Sequence, residues 1–253
     1  MPQAAYTVFA DIYDVVMRDV QYDHWADYII RLARKHHFST ESVLNLACGT
    51  GNLELQLVPR GFSMEGLDGS EDMLARAREK FAEQGLEVPL QQGDLRSFTL
   101  GKSFPLILCL YDSLNYLCSE EEVLSCFMSV AAHLPRGGGF IFDVTTEYNI
   151  LTNFSNYTFA ENFPRFAYIW ENTYNLASKI CISDVTVFQA DDSGERFART
   201  TERHRQRMYP QKVLRGLLSE AGFALEAAYD GMTESSPGRR TERIHMVCRK
   251  AKP

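Results

Sequence analysis

Residues 45–52, NLACGTGN, place two glycines between an apolar segment and a leucine-rich one. The preceding SVLNLAC is typical of a buried strand, and the following NLELQLVPRG is typical of a helix that ends at Pro59 and Gly61. A strand, a glycine turn and a helix in this order can bind a dinucleotide, but that motif needs a third glycine. Glu54 stands at its position, and a carboxylate at the start of a helix would repel a pyrophosphate. The turn therefore favours a ligand without phosphate.

An amino-acid-like group suits this turn better. Without side chains at Gly49 and Gly51, the backbone can approach such a group closely, and free N–H groups of the helix can bind its carboxylate. The second predicted strand ends at Asp68, which can accept both hydroxyls of a ribose, and the third ends at Asp94, which can accept an adenine amine. Together the strand ends predict a site for a nucleoside with an amino-acid tail. Each aspartate also has a structural interpretation, Asp68 as a helix cap and Asp94 as a turn residue.

Strands and helices alternate along the first part of the chain, which predicts an α/β fold with a doubly wound, Rossmann-like, mostly parallel seven-stranded sheet. Strands are expected at 42–48, 62–68, 86–94, 104–117 and 137–146, with helices at 52–61, 70–85 and 119–134. Three β-rich runs at 168–176, 179–190 and 196–209 then predict an inserted antiparallel β meander, before a helix at 210–222 and strands at 223–231 and 243–250. The expected division is a helical cap (1–38), a cofactor-binding part (39–146 and 210–253) and a β-rich, substrate-covering insertion (147–209).

Four motifs, VLNLACGTGN, GLDGSEDML, QQGDL and LYDSLNYL, resemble those of the class I S-adenosylmethionine-dependent methyltransferases. YTVFADIYDVVM and HRQRMY are similar to a poorly characterised bacterial branch of that family that acts on small molecules. The resemblance implies S-adenosyl-L-methionine as cofactor and S-adenosyl-L-homocysteine as product. The implied cofactor site consists of Tyr13, Asn45, Ala47, Cys48, Gly49, Gly51, Asp68, Gly69, Met73, Gly93, Asp94, Leu95, Leu110 and Tyr111. Asn45 stands where the family usually has Asp or Glu, an acid that helps to hold the cationic amine of the cofactor.

Methyl transfer is an in-line displacement, and a general base is needed only when the acceptor must first lose a proton. Tyr111 and Asp112 are the catalytic candidates, although Asp112 could equally be a helix cap. The candidates for substrate binding are Asn115, Tyr148, Trp170, His204 and Arg207. The arginines at 203, 205 and 207 could clamp an anionic acceptor or protect an exposed sheet edge, and the edge is the favoured interpretation.

Composition limits the alternatives. The formal net charge of −7, from 26 basic and 33 acidic residues, makes binding to nucleic acid an unlikely property. Six cysteines without a CxxC pair indicate reduced thiols and no metal site. The N-terminus has no basic leader or apolar signal core, and no stretch reaches the ~20 apolar residues of a membrane span. A cytoplasmic protein without a membrane partner is expected.

The sequence therefore predicts an S-adenosylmethionine-dependent methyltransferase that acts on N or O of a small-molecule acceptor. One alternative is a tRNA or rRNA methyltransferase, which the arginine-rich run 196–207 keeps open. The other is a cofactor-binding regulatory subunit without enzymatic activity, which the asparagine at position 45 slightly favours. The sequence does not indicate an oligomeric state or the identity of the acceptor.

Overall fold

The computed structural model describes residues 6–251. The helices are α1 (Phe9–Val16), α2 (Tyr22–Lys35), α3 (Asn52–Leu57), α4 (Glu71–Glu83), α5 (Glu120–Ala132), α6 (Glu147–Asn149) and α7 (Gln211–Glu220). The strands are β1 (Val43–Leu46), β2 (Met64–Asp68), β3 (Leu90–Gln92), β4 (Leu106–Cys109), β5 (Gly139–Thr145), β6 (Thr158–Asn162), β7 (Phe166–Asn175), β8 (Ile180–Ala190), β9 (Phe197–Arg207), β10 (Phe223–Asp230) and β11 (Arg243–Lys250).

Seven strands form the main sheet in the order β10-β11-β5-β4-β1-β2-β3. Strands β1 to β5 pair in parallel, and β11 pairs antiparallel with both β5 and β10. Successive residues of β1 enter different cores, since Leu44 packs in one cluster with Phe127 of α5, and Val43 packs in another with Ile29 of α2. Helices therefore cover both faces of the sheet, as the unbroken apolar runs predicted. The α/β, doubly wound fold with a mostly parallel seven-stranded sheet is confirmed.

The inserted sheet has four antiparallel strands in the order β6-β7-β8-β9, one more than the three predicted runs. The additional strand β6 is exposed at most of its positions and pairs only with β7. It therefore lacks the alternation of apolar and polar residues by which a half-buried strand is recognised. Helix α1 packs on this sheet, where Phe9 and Ile12 contact a cluster that includes Tyr168 and Val185.

Two of the predicted helices begin after a serine cap. The hydroxyl of Ser70 accepts a hydrogen bond from Met73 N (3.2 Å) at the start of α4, and that of Ser119 accepts one from Glu122 N (3.2 Å) at the start of α5. The division into a cap, a cofactor-binding part and an insertion stays a prediction, and residues 1–5 and 252–253 lie outside the described range. Between residues 6 and 251, no helix is both long and apolar enough to cross a lipid bilayer.

Candidate cofactor and acceptor site

A cavity of about 950 Å³ lies at the carboxyl ends of β1, β2, β3 and β4, with residues of the N-terminal helices along its wall. This is where ligands bind in open parallel sheets. Its lining includes the predicted cofactor residues Tyr13, Asn45, Ala47, Cys48, Gly49, Asp68, Gly69, Met73, Gly93, Asp94, Leu95, Leu110 and Tyr111. Gly51 does not line it. Its φ is +76°, and a Cβ added there would lie 2.4 Å from Phe81 Cζ, so this glycine allows α3 to start against α4.

Asp68 is held rigidly at the end of β2. Its two carboxylate oxygens accept backbone hydrogen bonds from Gly49 N and Ser70 N, both at 2.8 Å. Burial raises the pKa of this carboxyl, although these backbone N–H groups oppose the shift. Because each carboxylate oxygen can accept more than one hydrogen bond, Asp68 retains acceptor capacity toward the cavity. The side chain thus links the glycine turn to α4 and can still bind a pair of hydroxyls.

Asp94 lies at the rim beside Gly93 and Leu95 and is half-exposed. It accepts hydrogen bonds from the backbone N (2.8 Å) and the Nε (2.9 Å) of Arg96. The hydrogen bonds from the Arg96 side chain hold the pKa of Asp94 below its ordinary value. Asp94 therefore stabilises a turn, as its structural interpretation predicted, and it also lines the cavity.

Asn45 and Glu54 form a buried pair at the floor of the cavity. Asn45 lines the cavity and donates from Nδ2 to Glu54 Oε1 at 2.7 Å. The other carboxylate oxygen of Glu54 has no hydrogen-bond partner within residues 6–251. Burial raises the pKa of Glu54 to about 7. The carboxylate that the family usually has at position 45 is thus absent, but another carboxylate contacts that position from α3.

Tyr111 and Asp112 form a tight turn after β4, with φ values of 62° and 51°. This left-handed conformation is unfavourable for residues other than glycine. Asp143 of β5 stabilises it, because its two oxygens accept Tyr111 N (2.6 Å) and Asp112 N (2.9 Å). The partly buried guanidinium of Arg243 pairs with the carboxylates of Asp112 and Asp143 and lies over the Tyr111 ring, 5.1 Å from its centroid. The turn thus places the Tyr111 ring in the cavity wall.

Asp112 itself is not part of the cavity lining. One oxygen accepts Arg243 Nη2 at 2.6 Å, and the other accepts Gln206 Nε2 at 2.6 Å. Burial raises the pKa of Asp112, while Arg243 opposes the shift. Through these contacts Asp112, which follows β4, orients Arg243 of β11 and Gln206 of β9.

None of the five predicted acceptor residues lines the cavity. Asn115 is fully buried and joins β5 to β9 by accepting Thr145 N (3.0 Å) and donating to Arg207 O (2.8 Å). Trp170 packs edge-on against Phe9 in the contact between α1 and β7. Tyr148 is half-buried in α6, and the Arg207 guanidinium contacts Cys118 O and Glu120. The fifth, His204, is buried and contacts the hydroxyl of Tyr116, which does line the cavity.

Aromatic rings that were not among the predicted site residues form much of the remaining wall. They are Tyr6, Tyr22 and Trp25. Tyr116, which the YDSLNY segment places near the end of the fourth strand, lines the wall with them. Trp25 lies 5.3 Å and Tyr22 lies 6.2 Å from the Tyr111 ring, measured between centroids. In the sequence, Tyr6 and Trp25 only mark the apolar faces of helices. The one sequence feature that could have indicated their role is their position in the N-terminal segment, which is available to cover a ligand site at the strand ends.

Comparison with known proteins agrees with this geometry. A methyltransferase domain model matches residues 43–138. The protein YqeM of Bacillus subtilis (strain 168), named as a methyltransferase, is 32% identical over 249 residues and covers 98% of both chains. The crystal structure of an S-adenosylmethionine-dependent methyltransferase from Clostridium acetobutylicum ATCC 824 superposes with a TM-score of 0.85 at 31% identity, over 98% of this chain and 99% of that one.

A third relative matches only part of the chain. The dTDP-3-amino-3,6-dideoxy-alpha-D-glucopyranose N,N-dimethyltransferase of Streptomyces fradiae is 35% identical over 140 residues, which are 54% of this chain and 53% of that protein. The close approach allowed at Gly49, the spare acceptor capacity of Asp68 and the buried acid beside Asn45 all fit S-adenosyl-L-methionine as the cofactor. The chain belongs to the class I S-adenosylmethionine-dependent methyltransferases.

Proposed function

We propose that this enzyme methylates the nitrogen of a small amine. The observation that carries the proposal is the character of the cavity wall, which combines tyrosine and tryptophan rings with an excess of carboxylates. Of the described residues that line it, five are acidic and Arg96 is the one base. That guanidinium is paired with Asp94 and Glu122. Such a cavity attracts a cationic group and disfavours a polyanion.

Aromatic rings add to this preference. A cation above the face of Trp or Tyr is stabilised by the ring quadrupole, by about 0.5–2 kcal/mol depending on desolvation. Trp25 and Tyr111 both line the cavity, and because the Arg243 guanidinium lies over one face of each ring, an acceptor cation would bind over the opposite face. An amine is cationic before it reacts and again after it gains a methyl group, whereas an alcohol or phenol is not. The name of the Streptomyces fradiae relative, an N,N-dimethyltransferase for an amino sugar, supports the same acceptor class.

The residues have separate tasks in this reaction. When bound, the cofactor supplies an electrophilic methyl group on its sulfonium. Asp68 and the turn at Gly49 would hold the nucleoside and the amino-acid tail, and the Tyr111 turn would position the ring next to the reacting centre. The aromatic wall would exclude water and align the acceptor, which is the main contribution a protein makes to such a displacement.

Methylation of RNA is the alternative that the arginine-rich run suggested. Its arginines at 203, 205 and 207 alternate with Glu202, His204 and Gln206, which point to the interior. Arg203 pairs with Asp184 on the exposed side of β9 (2.7 Å). This surface lies apart from the cavity lining, so the alternative has no support from the site itself.

The test is a methylation assay with purified protein, S-adenosyl-L-methionine and a panel of acceptors. The panel contains amino-sugar nucleotides, glycine and aliphatic amines, with phenols, alcohols and total tRNA for comparison. We expect S-adenosyl-L-homocysteine to form with at least one amine, and mass spectrometry to place the methyl group on nitrogen. Turnover of oxygen acceptors alone, or salt-sensitive methylation of tRNA alone, would contradict the proposal.

Asp68→Ala serves as the inactive control in this assay. Hydrogen bonds to a charged group contribute about 1.5–3 kcal/mol each, so losing two should weaken S-adenosyl-L-homocysteine binding on the order of 100-fold or more. Asp72→Ala removes another carboxylate of the same lining, from an exposed position on α4, and should bind nearly as well as the wild type. Calorimetric titration measures both. Equal affinities for the two variants would remove Asp68 from the cofactor site.

A further inference from the structure

A chain of hydrogen bonds leads from the cavity to a buried histidine. The hydroxyls of Tyr6 and Tyr116 are 2.7 Å apart, and the Tyr116 hydroxyl lies 3.0 Å from His204 Nδ1. Both tyrosines line the cavity, whereas His204 has only 4% of its surface exposed. The two hydroxyls therefore connect the buried imidazole to the cavity.

A carboxylate lies behind the histidine. Glu202, which has no exposed surface, approaches His204 Nε2 with Oε2 at 3.6 Å. Within residues 6–251, His204 Nε2 has no hydrogen-bond partner. Burial would raise the pKa of Glu202, but the nearby His204 side chain and the hydrogen bonds from backbone N–H groups at the start of α1 hold it below its ordinary value. An ionised Glu202 favours the tautomer with a proton on Nε2, which leaves Nδ1 as a proton acceptor.

The two hydroxyls fit the same direction of transfer. If Tyr116 donates to His204 Nδ1, its oxygen accepts the proton of Tyr6, and the Tyr6 oxygen keeps a free lone pair toward the cavity. Burial raises the pKa of both phenols, so neither is a stable phenolate and each passes a proton only as it receives one. The negative charge of Glu202 can stabilise the imidazolium that results.

We propose that Tyr6, Tyr116 and His204, with Glu202 behind them, form a proton relay that deprotonates the amine acceptor. This inference rests on the proposed methylation of an amine. An ammonium N–H bond breaks, and its proton passes to the Tyr6 oxygen. The Tyr6 proton moves to the Tyr116 oxygen, and the Tyr116 proton moves to His204 Nδ1. The nitrogen keeps the electron pair and uses it for the new bond to carbon. The imidazolium proton returns to the cavity by the same path when product leaves.

The competing interpretation is structural. Glu202 accepts hydrogen bonds from Tyr6 N (2.7 Å) and Phe9 N (2.9 Å), and the rings of Phe9 and Trp170 pack around the imidazole. His204 could thus simply fill the space between α1 and β9. Glu202 and the phenols of Tyr6 and Tyr116 are the titratable groups that contact the imidazole, and Asp112 raises the pKa of both phenols from beyond them.

The first experiment needs no acceptor. Nitrogen NMR of histidine-labelled protein, saturated with S-adenosyl-L-homocysteine at pH 8, reports which ring nitrogen of His204 carries the proton. We expect a proton on Nε2 and an acceptor at Nδ1 whose signal moves in Tyr116→Phe, because that variant lacks the donor. A proton on Nδ1, a doubly protonated ring at pH 8 or an unchanged signal in Tyr116→Phe would overturn the relay.

The second experiment measures turnover of whichever panel amine the wild type methylates. We expect His204→Gln to lower kcat on the order of 100-fold, the usual contribution of general base catalysis, with little change in S-adenosyl-L-homocysteine affinity. The acid limb of its pH–kcat profile should also differ from that of the wild type, because the amine must then lose its proton without the relay. Ser183→Ala is the matched control, since Ser183 pairs with His204 across β8 and β9 and lies outside the relay.

The two proposals can fail separately. If kcat and the acid limb of His204→Gln match those of Ser183→Ala, the relay is wrong although amine methylation stands. If the wild type methylates no amine, the proposed function fails and the relay fails with it as a catalytic device, whatever tautomer the NMR experiment finds.

Discussion

Glu54 shows how one buried residue makes stability depend on pH. Its carboxyl has no exposed surface and a pKa raised by burial to about 7, against an ordinary value near 4.5. The folded state therefore binds the proton more tightly than the unfolded chain does. The stability that Glu54 contributes is present below about pH 4.5 and is lost as the pH rises to 7. At about 1.4 kcal/mol per unit of pKa, the loss is about 3 kcal/mol.

Glu54→Gln should remove this loss, because the amide stays neutral and can still accept from Asn45. We expect the variant to be more stable than the wild type at pH 8, by up to about 3 kcal/mol, and nearly equal to it at pH 4.5. Urea unfolding at the two pH values measures this. Glu87→Gln, at an exposed position, is the control. If the unfolding free energies of wild type and Glu54→Gln depend on pH in the same way, ionised Glu54 does not destabilise the folded state and the prediction is wrong.

Among the elements, β4, β5 and β11 depend on one buried ion cluster. Arg243 neutralises Asp112 and Asp143, and Asp143 has no exposed surface. Arg243→Met should cost about 3–5 kcal/mol of unfolding free energy, because it leaves the buried carboxylate of Asp143 and the partly buried one of Asp112 without their cation. Arg203→Met breaks an exposed pair with Asp184 and should unfold close to the wild-type midpoint. Denaturant unfolding of the two variants measures the difference. Equal unfolding midpoints would mean that water solvates the two carboxylates as well as Arg243 does.

Sequence patterns predicted the elements that bury a periodic face and the site residues that follow strands. The five parallel strands and the residues from Asn45 to Tyr111 belong to this group, because strand ends in a parallel sheet meet at one edge. The pattern RHRQR in β9 is different. It is polar on both faces, so period-two alternation cannot tell whether His204 or Arg207 points inward. Only the pairing with β8 and the contact with Tyr116 settle it.

At the scale of the molecule, the N-terminal segment from Tyr6 to Val16 covers the site and packs on the inserted sheet. Tyr6 and Tyr13 line the cavity, yet Phe9 and Ile12 pack on β7 and β8 rather than on the main sheet. The apolar contacts that hold this segment are thus remote in sequence from the glycine turn, although Thr50 and Asn52 of that turn also donate hydrogen bonds to Asp14 of α1 (2.7 and 2.8 Å). No local pattern around residues 45–52 contains the apolar contacts, which is why the aromatic wall was not predicted.

Glu202 of β9 holds this segment in place, because its carboxylate accepts hydrogen bonds from Tyr6 N, from Phe9 N and from the Thr7 hydroxyl. Glu202→Gln replaces one acceptor oxygen by a donor and removes the charge, so the segment should detach more often. Hydrogen exchange at residues 6–9 should then be faster, and S-adenosyl-L-homocysteine should bind on the order of tenfold more weakly, since part of the wall is lost. Glu161→Gln, which breaks the exposed pair with Arg18 on the same sheet, is the control and should change neither measurement. Faster exchange with unchanged affinity would mean that the cofactor binds without this cover, and that the segment serves the acceptor alone.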